Sequence, residues 1–202
     1  MDFKRTYKLQ IIGKQGALHV HPRSLDDIED DVALYEGRVT LQAPLAFEFM
    51  KGASGSTPYD FVSTSLPPLK LVSERVVAVL RDFTGWATYP VEVYGKKGEL
   101  VAGYHGLAVT GRCGPIDDSR SRPAIRPPAV PHGQATRMWI GLYFDPVSWD
   151  GSDVFLPKGN GRTFITEDLK SALERAGITN VYFTALSEAE NMSTALLFGD
   201  TQ

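Results

Sequence analysis

The chain has 202 residues, 43% of them hydrophobic, and a net charge of −3. That is apolar material for one core or two small ones, and the charge argues against a dedicated nucleic-acid binder. The single cysteine, Cys113, excludes an internal disulfide framework and a cysteine-based zinc site. Met1 to Tyr7 hold no apolar signal-peptide stretch, and no apolar run approaches the length of a membrane span. The expectation is a soluble cytoplasmic protein without a membrane partner.

In chain order, Thr6 to Ile12 reads as a strand closed by Gly13, with Ala17 to Val20 as its hairpin partner. Ser24 to Glu36 holds six acids (Asp26, Asp27, Glu29, Asp30, Asp31, Glu36) and no base, the pattern of a solvated loop or helix start. Val32 to Tyr35 and Arg38 to Leu41 flank Glu36-Gly37, which predicts a hairpin. Leu45, Phe47 and Phe49 alternate along a half-buried strand over Pro44 to Met50. Lys51 to Pro58 is a Gly/Ser/Thr loop, Phe61 to Thr64 a strand, and Leu66-Pro67-Pro68-Leu69 a stiff lead into a helix near 73–83. Tyr89 to Tyr94 and Leu100 to Thr110 read as strands. Gly111 to Arg137 is different in kind: five prolines, and five arginines against Asp117 and Asp118, so this stretch is +3 and the remainder −6. It reads as a long functional or disordered loop. Arg137 to Phe144 is strongly apolar and predicts a central strand. Trp149 to Phe155 turns into a short strand, and Gly159-Asn160-Gly161 turns the chain back.

The most fully punctuated element follows. Thr166 caps a helix near 166–176 through its hydroxyl, and Glu167 and Asp168 suit its dipole. Leu169, Ala172, Leu173 and Ala176 share one face, and Gly177 ends the helix. Val181 to Leu186 is then a strand, and Thr194 to Phe198 an edge strand. The same order of signals occurs over 71–94: Ser73 matches Thr166, Glu74 matches Glu167, Val76 matches Leu169, Leu80 matches Leu173, Phe83 matches Ala176, and one insertion brings Gly85 onto Gly177. The expected fold class is α+β: mostly antiparallel sheet, two main short helices and an internal helix–strand duplication. Residues 1–70 form an amino-terminal β-rich part and 71–202 an α+β part, packed as one compact unit.

Residues that could carry chemistry are few. His19 and His21 share a strand face, but zinc needs a third ligand such as His105 or His132, and no spacing supplies it. Surface histidines and no metal are expected. Cys113 beside Arg112 could have a lowered thiol pKa, but no base is positioned for it. Asp117 and Asp118 could divide acid and base roles, although Asp-Asp-Ser more commonly builds a turn. Gly159-Asn160-Gly161-Arg162 lacks the Lys-Ser/Thr of a phosphate loop. The arginines of 111–137 could grip phosphate, without aromatic residues to stack bases.

Three stretches in order resemble a known family: Leu107 to Ser121, containing Ile116-Asp117-Asp118-Ser119-Arg120-Ser121; Trp149 to Phe155; and Ile165 to Phe183. They are similar to bacterial immunity proteins of the Imm11 kind and the related double-CxxCG group, whose cysteine signature is absent here. The resemblance spans residues 71–186. It implies a non-catalytic α+β protein that binds and blocks a cognate protein toxin, with no cofactor. As the partner-binding surface we expect the acidic run Asp26, Asp27, Glu29, Asp30 and Asp31, the densest single-sign charge in the chain. Two other classes stay open: a small enzyme using the Asp117/Cys113 region, and a peptide- or nucleic-acid-binding module using the Arg-rich loop 111–137.

Overall fold

In the computed structural model, which describes residues 1–24, 28, 30–128, 130 and 132–191, strands outweigh helices. The strands are β1 (Thr6–Ile11), β2 (His19–Pro22), β3 (Leu45–Phe49), β4 (Phe61–Thr64), β5 (Lys70–Ser73), β6 (Trp86–Tyr94), β7 (Tyr104–Val109), β8 (Gly111–Cys113), β9 (Arg122–Arg126), β10 (Thr136–Ile140), β11 (Val154–Pro157), β12 (Phe164–Thr166), β13 (Val181–Ala185) and β14 (Glu190–Asn191). The helices are α1 (Asp31–Tyr35), α2 (Glu74–Leu80) and α3 (Glu167–Arg175).

Six strands close into a barrel in the order β2-β3-β6-β7-β5-β4. A five-stranded sheet runs β13-β1-β12-β11-β8, and a small sheet runs β14-β10-β9. The expected α+β class holds, with strand dominant. "Mostly antiparallel sheet" needs correction as a description of the whole, because β2–β4, β3–β6 and β8–β11 pair in parallel and the largest sheet is a closed barrel. Closure leaves the barrel without an edge strand.

The sequence duplication is a duplication of topology. β5 and β6 flank β7, each antiparallel to it, and α2 connects them. β12 and β13 flank β1 in the same way, with α3 between. Even the register agrees. Ser73 lies opposite Tyr104 and Trp86 opposite Val109, while Thr166 lies opposite Thr6 and Val181 opposite Ile11. This register corrects one pairing. Gly85 corresponds to Asn180, not Gly177: both immediately precede the returning strand, with φ of 86° and 63°. Gly177, at φ 62°, is the extra left-handed residue that ends the longer α3.

The helix starts differ in detail. Ser73 Oγ accepts from the Val76 N–H at 3.4 Å, whereas Thr166 sits at the cap position but donates its hydroxyl to Asp153 Oδ1 at 3.1 Å. The hairpin expected around Glu36-Gly37 is instead α1. Asp30 Oδ1 accepts from the Ala33 N–H at 2.8 Å, and the short apolar run fits a helical turn that buries Ala33, Leu34 and Tyr35. The predicted partnership of β1 with residues 17–20 also fails: β2 enters the barrel between β3 and β4. Residues 70–73, expected within the run into the first helix, form strand β5. The 111–137 stretch is ordered over most of its length as β8, a 3-10 turn at Asp118–Arg120 and the β9–β10 hairpin. The expected strand at 194–198 lies outside the described residues.

Two cores follow from this layout. The larger fills the barrel and the space under α2 and α3, with Phe47, Phe61, Leu71, Val76, Ile165 and Leu169 fully buried. Tyr89 lies across Gly106 inside it, where a Cβ would come within 1.9 Å of the ring. The second gathers Leu142, Phe144, Phe155, Phe164 and Leu186 between the five-stranded sheet and the small one. Barrel and sheet meet at Gly85, whose carbonyl accepts from the Thr110 and Gly111 N–H groups. A Cβ there would stand 2.1 Å from the Val154 carbonyl oxygen.

Candidate functional site

The residues expected to meet a partner divide between two settings. Asp26, Asp27 and Glu29 lie outside the described residues. Asp30 is exposed and does two local jobs: it caps α1, and its Oδ2 lies 3.9 Å from Arg38 Nη2. Asp31 sits partly buried in the first turn of α1, where the helix dipole favours it.

The arginines of 111–137 are engaged within the fold. Arg112 donates to the carbonyls of Val109, Gly111 and Glu36 at 2.6–2.8 Å. The Arg120 guanidinium stacks over Phe3 and Tyr143, at 5.1 and 4.7 Å from their ring centroids. Arg122 pairs with Glu188 at 2.8 Å and Arg126 with Glu190, tying β9 across β10 to the segment around β14. Arg137 lies over Trp139. The positive charge visible in the sequence is therefore engaged within the fold, with Arg122 and Arg126 in exposed ion pairs across the small sheet. The hairpin exposes Ile125 (74%) beside a groove of about 460 Å³ lined by Pro123, Ala124, Ala135 and Arg137.

The residues considered for catalysis have structural surroundings. Cys113 is buried in the second core, and burial, with Asp150 second, pushes its thiol up to about 12. A thiol held there is protonated at neutral pH and is a poor nucleophile. Asp117 Oδ1 accepts from the Ser119 N–H and hydroxyl at 3.2 and 2.6 Å, and Asp118 Oδ1 accepts from Asn191 Nδ2 at 2.9 Å. The two carboxylates thus point to different partners. His21 Nε2 lies 3.4 Å from Glu48 Oε1 on the adjacent strand. Among the described residues no three His, Cys, Asp or Glu side chains converge as metal ligands would. Gly159-Asn160-Gly161 is the turn between β11 and β12, with Asn160 Oδ1 accepting from the Arg162 N–H.

The tightest polar cluster was not anticipated. Asp60, 5% exposed, accepts from Ser73 Oγ (2.8 Å), the Thr179 N–H (2.9 Å), Thr179 Oγ1 (2.7 Å) and Arg75 Nη1 (3.0 Å). Burial alone would raise this carboxyl. The hydrogen bonds from Thr179 and Ser73, with the Arg75 charge, outweigh it and hold the group below the usual carboxylate range. Arg75 also donates to the Ala176 carbonyl at the end of α3. Asp60 therefore clamps the first split unit to the second. Its local sequence, Tyr59-Asp60-Phe61, holds no sign of this, because its partners lie 13 to 119 residues along the chain, Thr179 of the second unit furthest.

The structure so far defines a class: a barrel fused to a flanking sheet, whose polar side chains knit the fold and whose accessible features are surfaces. A sequence model of the immunity protein family (Imm11) matches residues 8–188, and the chain belongs to that family. No curated protein matches the chain. No helix among the described residues is long and apolar enough to cross a membrane.

Proposed function

We propose that the protein protects the cell that makes it by binding a cognate toxin in the cytoplasm and covering the toxin's working surface, with no chemistry of its own. Family membership across residues 8–188 carries this reading. The burial of Cys113, the turn capped by Asp117 and the hydrogen bond that Asp118 accepts from Asn191 support its non-catalytic side. The acids Asp26, Asp27, Glu29, Asp30 and Asp31 would speed encounter with a basic toxin by long-range attraction. The test is co-expression with the toxin encoded beside this gene, followed by co-purification. Growth should be rescued and a stoichiometric complex recovered. Rescue with no complex at any protein concentration would point to an enzyme that modifies the toxin or its target.

A further inference from the structure

Among the described residues, the five-stranded sheet ends at β13 on one side and β8 on the other. β13 pairs with β1 on one side, and among the described residues nothing pairs with its other side. The Ile12 N–H donates to the Asn180 carbonyl at 3.0 Å, which sets the alternation of this ladder. Tyr182 and Thr184 therefore exchange bonds with Gln10 and Lys8, and Val181 and Phe183 turn their N–H and C=O groups outward. The edge sequence, Val181-Tyr182-Phe183-Thr184-Ala185, holds no charge and no proline, and Tyr182 is 41% exposed. Proteins usually guard such edges. Of the other edge strands, β9 is guarded by Arg122, Pro123 and Arg126.

A second observation lies on the same sheet. Lys8 stands directly opposite Thr184, so the two share a face. Lys8 and Arg162 are both half-buried, and among the described residues neither has a carboxylate within ion-pair distance, although Glu190 acts on Lys8 and Asp118 on Arg162 from further away. Burial first, and then the Arg162 charge, lowers the Lys8 ammonium below its usual range, and the more distant Glu190, already paired with Arg126, only partly opposes them. An added strand would lie about 4.8 Å beyond β13. Its residue opposite Thr184 would share that face, within reach of the Lys8 side chain across the short threonine.

We propose that β13 is the docking edge for an extended segment of the protein partner, which adds a strand to this sheet and presents a carboxylate to Lys8. This rests on the toxin-binding reading above. Strand addition supplies affinity through main-chain hydrogen bonds, and the side chain pairing with Lys8 supplies selectivity. A second copy of this chain is a poorer occupant. Pairing β13 with itself would bring no acid to Lys8.

The experiment is residue-resolved amide exchange on the full chain, alone and with the purified, catalytically inactive toxin encoded beside the gene. The Val181 and Phe183 amides should exchange at least about tenfold more slowly in the complex. Lys8→Glu should weaken the complex by about tenfold or more, and Lys8→Arg should restore it. Thermal melting of each variant separates binding from folding. If the toxin binds and these amides keep their free-state rates, the edge assignment is wrong while the immunity reading stands. If the amides are already protected in a dimer of the protein alone, the occupant is a second copy and the proposal fails. If the toxin does not bind, both readings fail together.

Discussion

Replacing Asp60 tests how the two split units are joined. Asp60→Ala removes a carboxylate that accepts from Ser73 and twice from Thr179 within 2.9 Å, while being 5% exposed. The Arg75 side chain is 59% exposed, so its ion pair is screened and contributes little. The loss comes from three hydrogen bonds to a buried charged acceptor and from the Thr179 N–H left without a partner. Together these amount to about 3–5 kcal/mol. For a chain of this size that lowers Tm by roughly 6–20 °C. Differential scanning calorimetry measures it, and a double-mutant cycle with Thr179→Val isolates the shared part. The pH dependence has a definite sign. Because the folded-state pKa is depressed, the stabilisation is complete above the unfolded carboxyl's pKa and is lost as pH falls through the folded value. The gap between wild type and Asp60→Asn should therefore be constant at neutral pH and close below about pH 4. A Tm drop under about 2 °C for Asp60→Ala, or a gap that widens in acid, would refute the clamp.

Leu80→Ala and Leu173→Ala, at equivalent buried positions of the two units, should each cost about 2–5 kcal/mol in chemical denaturation; a loss under about half a kcal/mol would show the face is not core. Cys113 should react with a thiol reagent at neutral pH only as fast as the protein opens, since its thiol is buried and raised to about 12, and Cys113→Ser should keep protection against the toxin wherever folding is intact. Asp117→Asn should likewise leave protection unchanged; lost protection at unaltered Tm would bring back the enzyme reading. A variant with Asp26, Asp27 and Asp30 changed to Asn should associate with the toxin more slowly at low salt and lose most of its salt dependence, whereas identical rates across a salt series would remove the acidic run from the contact.

What the sequence determined by itself is local. Capping residues, acids at helix starts, apolar spacing and residues suited to positive φ are signals within about a dozen positions, and the structure keeps most of them, although Thr166 stands at the cap position of α3 without capping it through its hydroxyl. α3 occupies Glu167–Arg175, β3 buries Leu45 and Phe47 on one face, and Gly159-Asn160-Gly161 makes its turn. The duplication was legible for the same reason, since each copy repeats its own punctuation. Where two local readings fitted equally, as at Val32 to Tyr35, the Asp30 cap and burial of Leu34 and Tyr35 chose the helix. Tertiary structure decided everything that depends on pairing across long separations. β1 lies between β12 and β13, more than 150 residues away, and that register corrected the match of Gly85. The arginines of 111–137 read as a free basic loop because Glu188, Glu190, Phe3 and Tyr143 are invisible as their partners in a linear string. The edge of β13 was read as a strand and nothing more. An edge is defined by the neighbour it lacks, and only the strand order of the folded chain shows that, among the described residues, β13 lies at the end of its sheet.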